Sequence, residues 1–134
     1  MGIKALQNTI HVMDAEALAK ELNIPFTETQ NLFSFQLNKN THTIAIDLLK
    51  DGQYIFVSVK EDQLKYPIEH IEFYGRETKD EILQEVKDVS ALFAANETRC
   101  VFVEGQQRKL ALEVLQDGKW ERYGYPNTAI KPTQ

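Results

Sequence analysis

The stretch "IAIDLLKDGQYIFVSV", residues 44–59, decides how this chain folds. Asp51-Gly52 separates two runs of alternating apolar residues, and Asp-Gly supplies the positive φ angles that a two-residue type I′ turn requires. With Asp51 and Gly52 at the centre of the turn, Lys50 faces Gln53, Leu49 faces Tyr54, Leu48 faces Ile55, Ile46 faces Val57 and Ile44 faces Val59. One face of the ribbon then carries Ile44, Ile46, Leu48, Ile55, Val57 and Val59. The other carries Ala45, Asp47, Leu49, Tyr54, Phe56 and Ser58. A slip by one residue mixes the two sets, so the pattern itself specifies the register.

The phrase is written twice. "LALEVLQDGKW", residues 110–120, matches "IAIDLLKDGQY", residues 44–54, in kind at each position. In this second hairpin Leu115 faces Trp120, Val114 faces Glu121, Glu113 faces Arg122 and Leu112 faces Tyr123. Both ribbons place a leucine–aromatic pair beside the turn at a non-hydrogen-bonded position, where cross-strand side chains come closest.

Outward from the hairpins, Asp14 reads as the N-cap of "AEALAKEL", whose stripe of Ala15, Leu18, Ala19 and Leu22 ends at Asn23 and Pro25. Thr78 and Glu81 form a capping box ahead of Ile82, Val86, Val89 and Phe93, a helix that ends near Asn96. Strands are predicted before the helices at "NTIHVM" and "IEHIEFY", and after them at "LFSFQL" and "CVFVEG". The expected architecture is a single α+β domain over residues 1–125 in the approximate order βαβββ-βαβββ. Its sheet is largely antiparallel with two main helices packed on one face. Residues 126–134, with two prolines and little periodicity, read as a flexible tail. The helix faces of the two halves match poorly, so the doubling reads as convergence on a common turn rather than as duplication.

Composition excludes several classes of function. A chain of 134 residues with 43% hydrophobic and 26% charged residues supports a folded core. Its formal net charge of -5 argues against binding to nucleic-acid phosphates, which needs clustered Lys and Arg. No apolar run approaches the length of a membrane span, and residues 1–18 lack the apolar core of a signal peptide, so no membrane partner and a cytoplasmic location are expected. The single cysteine, Cys100, leaves no internal disulfide and suits a reducing compartment. "NET" at 96–98 has the form of a glycosylation sequon, a chance match without a secretory signal.

Catalytic grammar is missing. Cys100 lies among Val101, Phe102 and Val103 and reads as a strand residue buried on both faces rather than a nucleophile. In "IEHIEF" a strand turns Glu69 away from His70 and Glu72 toward it, one His–carboxylate pair and too little for a metal. His11 and His42 have no flanking ligand pattern. No zinc-protease helix, phosphate loop or serine elbow is present, and Asp47, Glu104 and Glu113 read as solvated or salt-bridged strand acids. No catalytic residue, metal site or cofactor is assigned.

Aromatic residues lie on both faces of the hairpins, and with a first helix that is short and Ala-rich the helices are not expected to cover both sides of a sheet of about eight strands. Trp120, Arg122, Tyr123 and Tyr125 form the first candidate surface for a partner, and Tyr54 with Phe56 the second, because Tyr, Trp and Arg concentrate binding energy at interfaces. In size, acidity and helix–strand layout the chain resembles small bacterial partner-binding proteins, among them toxin-immunity proteins and type III secretion chaperones. The resemblance covers architecture and no motif, and the absence of a strong C-terminal helix departs from the chaperone layout. An acidic, compact scaffold without catalytic motifs and with aromatic positions left uncovered leads to the expectation of a non-enzymatic protein that binds and restrains another protein, a basic one by charge, with immunity or inhibitor function its most concrete form. The alternatives are a small enzyme or ligand-binding domain with a pocket between sheet and helices, and a homodimer or chaperone-like scaffold joined through the sheet.

Overall fold

The computed structural model describes residues 8–102 and 110–124. The first hairpin anchors an antiparallel meander of five strands in sequential order: β1 (Phe26–Glu28), β2 (Leu32–Asn38), β3 (Thr43–Leu49), β4 (Tyr54–Glu61) and β5 (Leu64–Glu72). Leu48 pairs with Ile55, Ile46 with Val57 and Ile44 with Val59, as the alternation requires. All six of these side chains are fully buried. Burying each contributes about 1.5–3 kcal/mol, so a slip that turned the whole set outward cannot compete.

Helix α1 (Val12–Leu22) precedes the meander, and α2 (Lys79–Ala95) follows it. A second meander, β6 (Thr98–Phe102), β7 (Leu110–Gln116) and β8 (Lys119–Tyr123), forms a separate three-stranded sheet. Its register pairs Leu115 with Trp120, Val114 with Glu121, Glu113 with Arg122 and Leu112 with Tyr123. Among the described residues the α+β architecture with antiparallel strands and two helices is therefore the one the pattern predicts, with its strands divided between two sheets. Strand β7 approaches β4 and β5, and Leu110, Leu112 and Val114 join Phe33, Phe35, Ile46, Ile82, Val86 and Phe93 in one hydrophobic cluster. Residues 126–134 lie outside the described residues.

Four local features differ from the sequence expectation. Residues 8–11 form no strand: α1 begins earlier, with His11 as N-cap, and Asp14 sits one turn inside, where its carboxylate accepts the His11 N–H at 2.9 Å. Asp serves either position, since both satisfy free N–H groups at a helix start. The three-residue β1, paired with Phe33–Phe35, is an addition.

The first Asp-Gly turn is the third difference. Only Gly52 has positive φ (74°), and Gly52 N–H donates to the Leu49 carbonyl. Lys50 is drawn out of the ladder because its N–H donates to Asn31 and its carbonyl accepts from Ile10. The second turn keeps both angles positive, 52° at Asp117 and 77° at Gly118, as a type I′ turn demands.

Finally, Cys100 is half-buried rather than enclosed, because β6 is an edge strand. Helix α2 matches its prediction at both ends. Thr78 N–H donates to Glu81 Oε1 at 2.8 Å, Glu81 N–H donates to Thr78 Oγ1 at 3.2 Å, and Asn96 is the C-cap.

The turn between β2 and β3 joins the two parts of the fold. Lys39 Nζ donates to the carbonyls of Phe93 (2.6 Å) and Asn96 (3.3 Å), supplying positive charge to a helix end whose last turn has no basic residue. His42, 5% exposed, bonds Thr41 through Nδ1 and Thr98 Oγ1 through Nε2 at 2.7 Å. Burial, and then the charge of Lys39, lowers its pKa below 6.5. Because the folded state disfavours the imidazolium, the stability His42 contributes is present above pH 6.5 and is lost as pH falls through that value toward the folded pKa. Urea unfolding is expected to show lower stability at about pH 5.5 than at about pH 7.5, and His42→Gln is expected to flatten that slope. Glu85, its pKa raised by burial and then by Asp88 and Glu69, contributes a slope of opposite sign just above 4.5. The difference between parent and variant isolates the histidine.

Candidate functional site

Two aromatic surfaces emerge from the two sheets. In the smaller sheet, pairing sets Arg99, Glu113 and Arg122 side by side across β6, β7 and β8. Glu113 is fully buried. Arg99 Nε donates to its Oε1 at 2.8 Å and Arg99 Nη2 lies at 2.7 Å from the same oxygen, while Arg122 Nη2 lies 3.6 Å from Oε2. The Arg99 guanidinium stacks 4.1 Å from the centre of the Trp120 ring. This arrangement compensates a buried carboxylate with two flanking cations, one of which also covers the indole face.

Of the residues singled out in the second hairpin, Trp120 and Arg122 thus share one face. The Arg122 side chain is only 10% exposed. Tyr123 points the other way and packs edge-on against Phe93 with centroids 4.8 Å apart. Burial, followed by the charge and hydrogen bond of Glu69, pushes the Tyr123 phenol above its ordinary range. Tyr125 lies outside the described residues.

The outer face of the five-stranded sheet is built differently. Pairing aligns Ser34, Asp47, Phe56 and His70 across β2 to β5, with Tyr54 opposite Glu72 in the next row. Tyr54 and Phe56 stack with centroids 5.5 Å apart and planes 11° from parallel, and the His70 ring lies 6.3 Å from each. Both phenols, Tyr54 (2.9 Å) and Tyr74 (3.1 Å), donate to the Glu72 carboxylate. The hydrogen bond to Glu72, then its charge and then desolvation raise both phenol pKa values, with a smaller contribution from Asp51 at Tyr54 and from Glu77 at Tyr74. Phe56 is 38% exposed and Tyr74 75% exposed, so an aromatic platform with the Glu72 carboxylate beside it faces solvent.

Glu72, Tyr74 and His70 were not assigned to this surface from sequence. A register shift at Val57/Ser58 in the β4–β5 ladder breaks the simple alternation that would have placed them. The first-hairpin register, which put Tyr54 and Phe56 on one face, is the signal from which the platform could have been extended.

Other chemistry in the described residues is sparse. Burial, and then Glu61, pushes the Cys100 thiol up to about 12, so at neutral pH it is a protonated, weak nucleophile. Among the described residues, no group of three His, Cys, Asp or Glu side chains gathers as metal ligands, and no helix is long and apolar enough to cross a membrane. An open depression of about 490 Å³ lies between the helices, bordered by Met13, Leu18, Leu83 and Gln84. Ion pairs of Asp14 with Lys79 (3.2 Å) and Glu21 with Lys87 (3.1 Å) tie acids along it to lysines of α2.

The described fold and surfaces define an acidic α+β domain with an exposed aromatic platform. Comparison with protein-family models, with curated proteins and with solved structures returns no match.

Proposed function

We propose that the chain is a non-enzymatic cytoplasmic protein that binds a basic partner protein and restrains it, in the manner of an immunity or inhibitor protein. The observation that carries the reading is the Tyr54–Phe56 stack, extended by the exposed Tyr74 and held around one carboxylate, Glu72. Rigid aromatic side chains lose little entropy on binding and combine apolar burial with directional hydrogen bonds. The acids Asp51, Glu72 and Glu77 beside them agree in sign with the net charge of -5 and favour encounter with a positive surface. Trp120 and Arg99 form the second candidate contact. The cytoplasmic assignment is supported by the single cysteine, which leaves no internal disulfide.

The test is affinity capture from the native cell with tagged parent and a Phe56→Ala, Tyr74→Ala double variant of unchanged thermal stability. A basic protein retained by the parent and lost by the variant supports the reading, with association slowed by added salt more than dissociation is accelerated. A partner lost only on Trp120→Ala moves the site to the smaller sheet. Capture insensitive to all of these substitutions, or turnover of a small molecule by the purified protein, overturns the proposal.

A further inference from the structure

We propose that the outer face of the five-stranded sheet is an arginine-recognition site, in which a partner's arginine replaces Lys65 at Asp47 and lies against the Phe56 ring. The inference rests on reading that face as the docking surface, and it names the chemical group that anchors the partner.

Asp47 is 7% exposed in the middle of the sheet, and its Oδ1 is buried without a hydrogen-bond donor. Its other oxygen has Lys65 Nζ at 3.6 Å, beyond hydrogen-bonding distance, on a side chain that is 52% exposed. Ser58, 6% exposed, lies on the same face one pair along, and its Oγ also lacks a partner. Two buried polar atoms left unsatisfied on one face are costly, and a carboxylate costs more than a hydroxyl. A loosely held lysine compensates the charge of Asp47 without completing its hydrogen bonds.

The missing partner has a definable shape. It must bring positive charge and several donors, and it must lie flat against aromatic carbon, because Asp47 pairs directly across the ladder with Phe56, itself stacked on Tyr54. A guanidinium meets all three conditions: it is planar, carries five donors in a rigid fork and stacks on aromatic faces. An ammonium is a compact, strongly hydrated point charge, and the resident Lys65 already shows how little of the site such a group fills. Lys65 is then a displaceable occupant, exposed enough to leave and close enough to keep the buried acid from standing alone.

The experiment is a ¹H–¹⁵N NMR titration with N-acetyl-arginine amide, N-acetyl-lysine amide and N-acetyl-citrulline amide. It uses the full chain as parent, Lys65→Ala and Asp47→Asn. Saturable shifts at Asp47, Phe56, Ser58 and His70 are expected with the arginine probe, weaker ones with lysine and none with citrulline. Removing the competing cation in Lys65→Ala is expected to tighten the arginine probe about threefold, the scale of one exposed ion pair. Asp47→Asn is expected to abolish saturation. Equal response to arginine and citrulline, unchanged binding in a folded Asp47→Asn variant, or no saturable shift in Lys65→Ala overturns the proposal. If Asp47→Asn loses its dispersed spectrum, the three-probe comparison in Lys65→Ala decides alone. A captured partner that is lost by Phe56→Ala, Tyr74→Ala yet held as tightly by Asp47→Asn removes the arginine site and leaves the docking surface standing.

Discussion

Glu113→Ala is expected to destabilise the protein by about 3–5 kcal/mol, the cost of removing one member of a buried ionic group. Glu113 is fully buried and the Arg122 side chain is 10% exposed, so Arg122 cannot simply turn its charge into water. Arg99 is 39% exposed and can, and Arg99→Ala is the milder lesion because Arg122 stays beside the Glu113 carboxylate. The substitution also frees the cation that stacks over Trp120, so intrinsic indole fluorescence is expected to change with it. Equilibrium urea unfolding of the three proteins at neutral pH measures the order. A Glu113→Ala variant as stable as the parent would show that the row contributes no net stability.

The second large effect separates the two turns that look alike. Gly52→Val is expected to cost at least about 2 kcal/mol and Gly118→Val about 1–2 kcal/mol, the penalty for a side chain in the left-handed region alone. Both glycines have positive φ, 74° and 77°. A Cβ at Gly52 would stand 2.4 Å from the backbone oxygen of Asn8, whereas one at Gly118 meets nothing within 4 Å. The first turn therefore carries the strain of its dihedral angle together with a collision against main chain, which has less freedom to move than a side-chain tip. Thermal unfolding of the two variants checks the ranking, and equal losses would mean that the approach of Asn8 contributes nothing.

What the sequence made readable followed from local periodicity. Ile44, Ile46 and Leu48 alternate against Ile55, Val57 and Val59 without exception, and Thr78 with Glu81 marks a helix start without ambiguity. The start of α1 was harder, since Asp14 is chemically suited to the cap and to the third helical position. Strand β1 is three residues long and has no alternation to detect. The division into two sheets depends on which strand edges meet, and no single strand records that. The same holds for the site. Tyr54, Phe56 and the Glu113–Arg122 pair follow from hairpin register, but Arg99 enters only through the pairing of β6 with β7, and His70 and Glu72 lie beyond an irregularity in the ladder. Asp47 was read as an ordinary strand acid because burial of a central position, unlike its face, is a property of the whole sheet.

The turn that carries Lys39 and His42 has a consequence for the order of folding. The hairpins within the five-stranded meander close over a few residues, whereas the bonds from Lys39 to Phe93 and from His42 to Thr98 span 54 and 56 positions along the chain. Loop closure over that distance is entropically unfavourable until both ends are already structured. The two meanders can organise from local contacts, and their joining brings this turn to the end of α2 as Leu110, Leu112 and Val114 close against Phe33, Phe35 and Ile46. The polar bonds at this turn then fix where the shared hydrophobic cluster closes, so that two locally ordered units meet in one register.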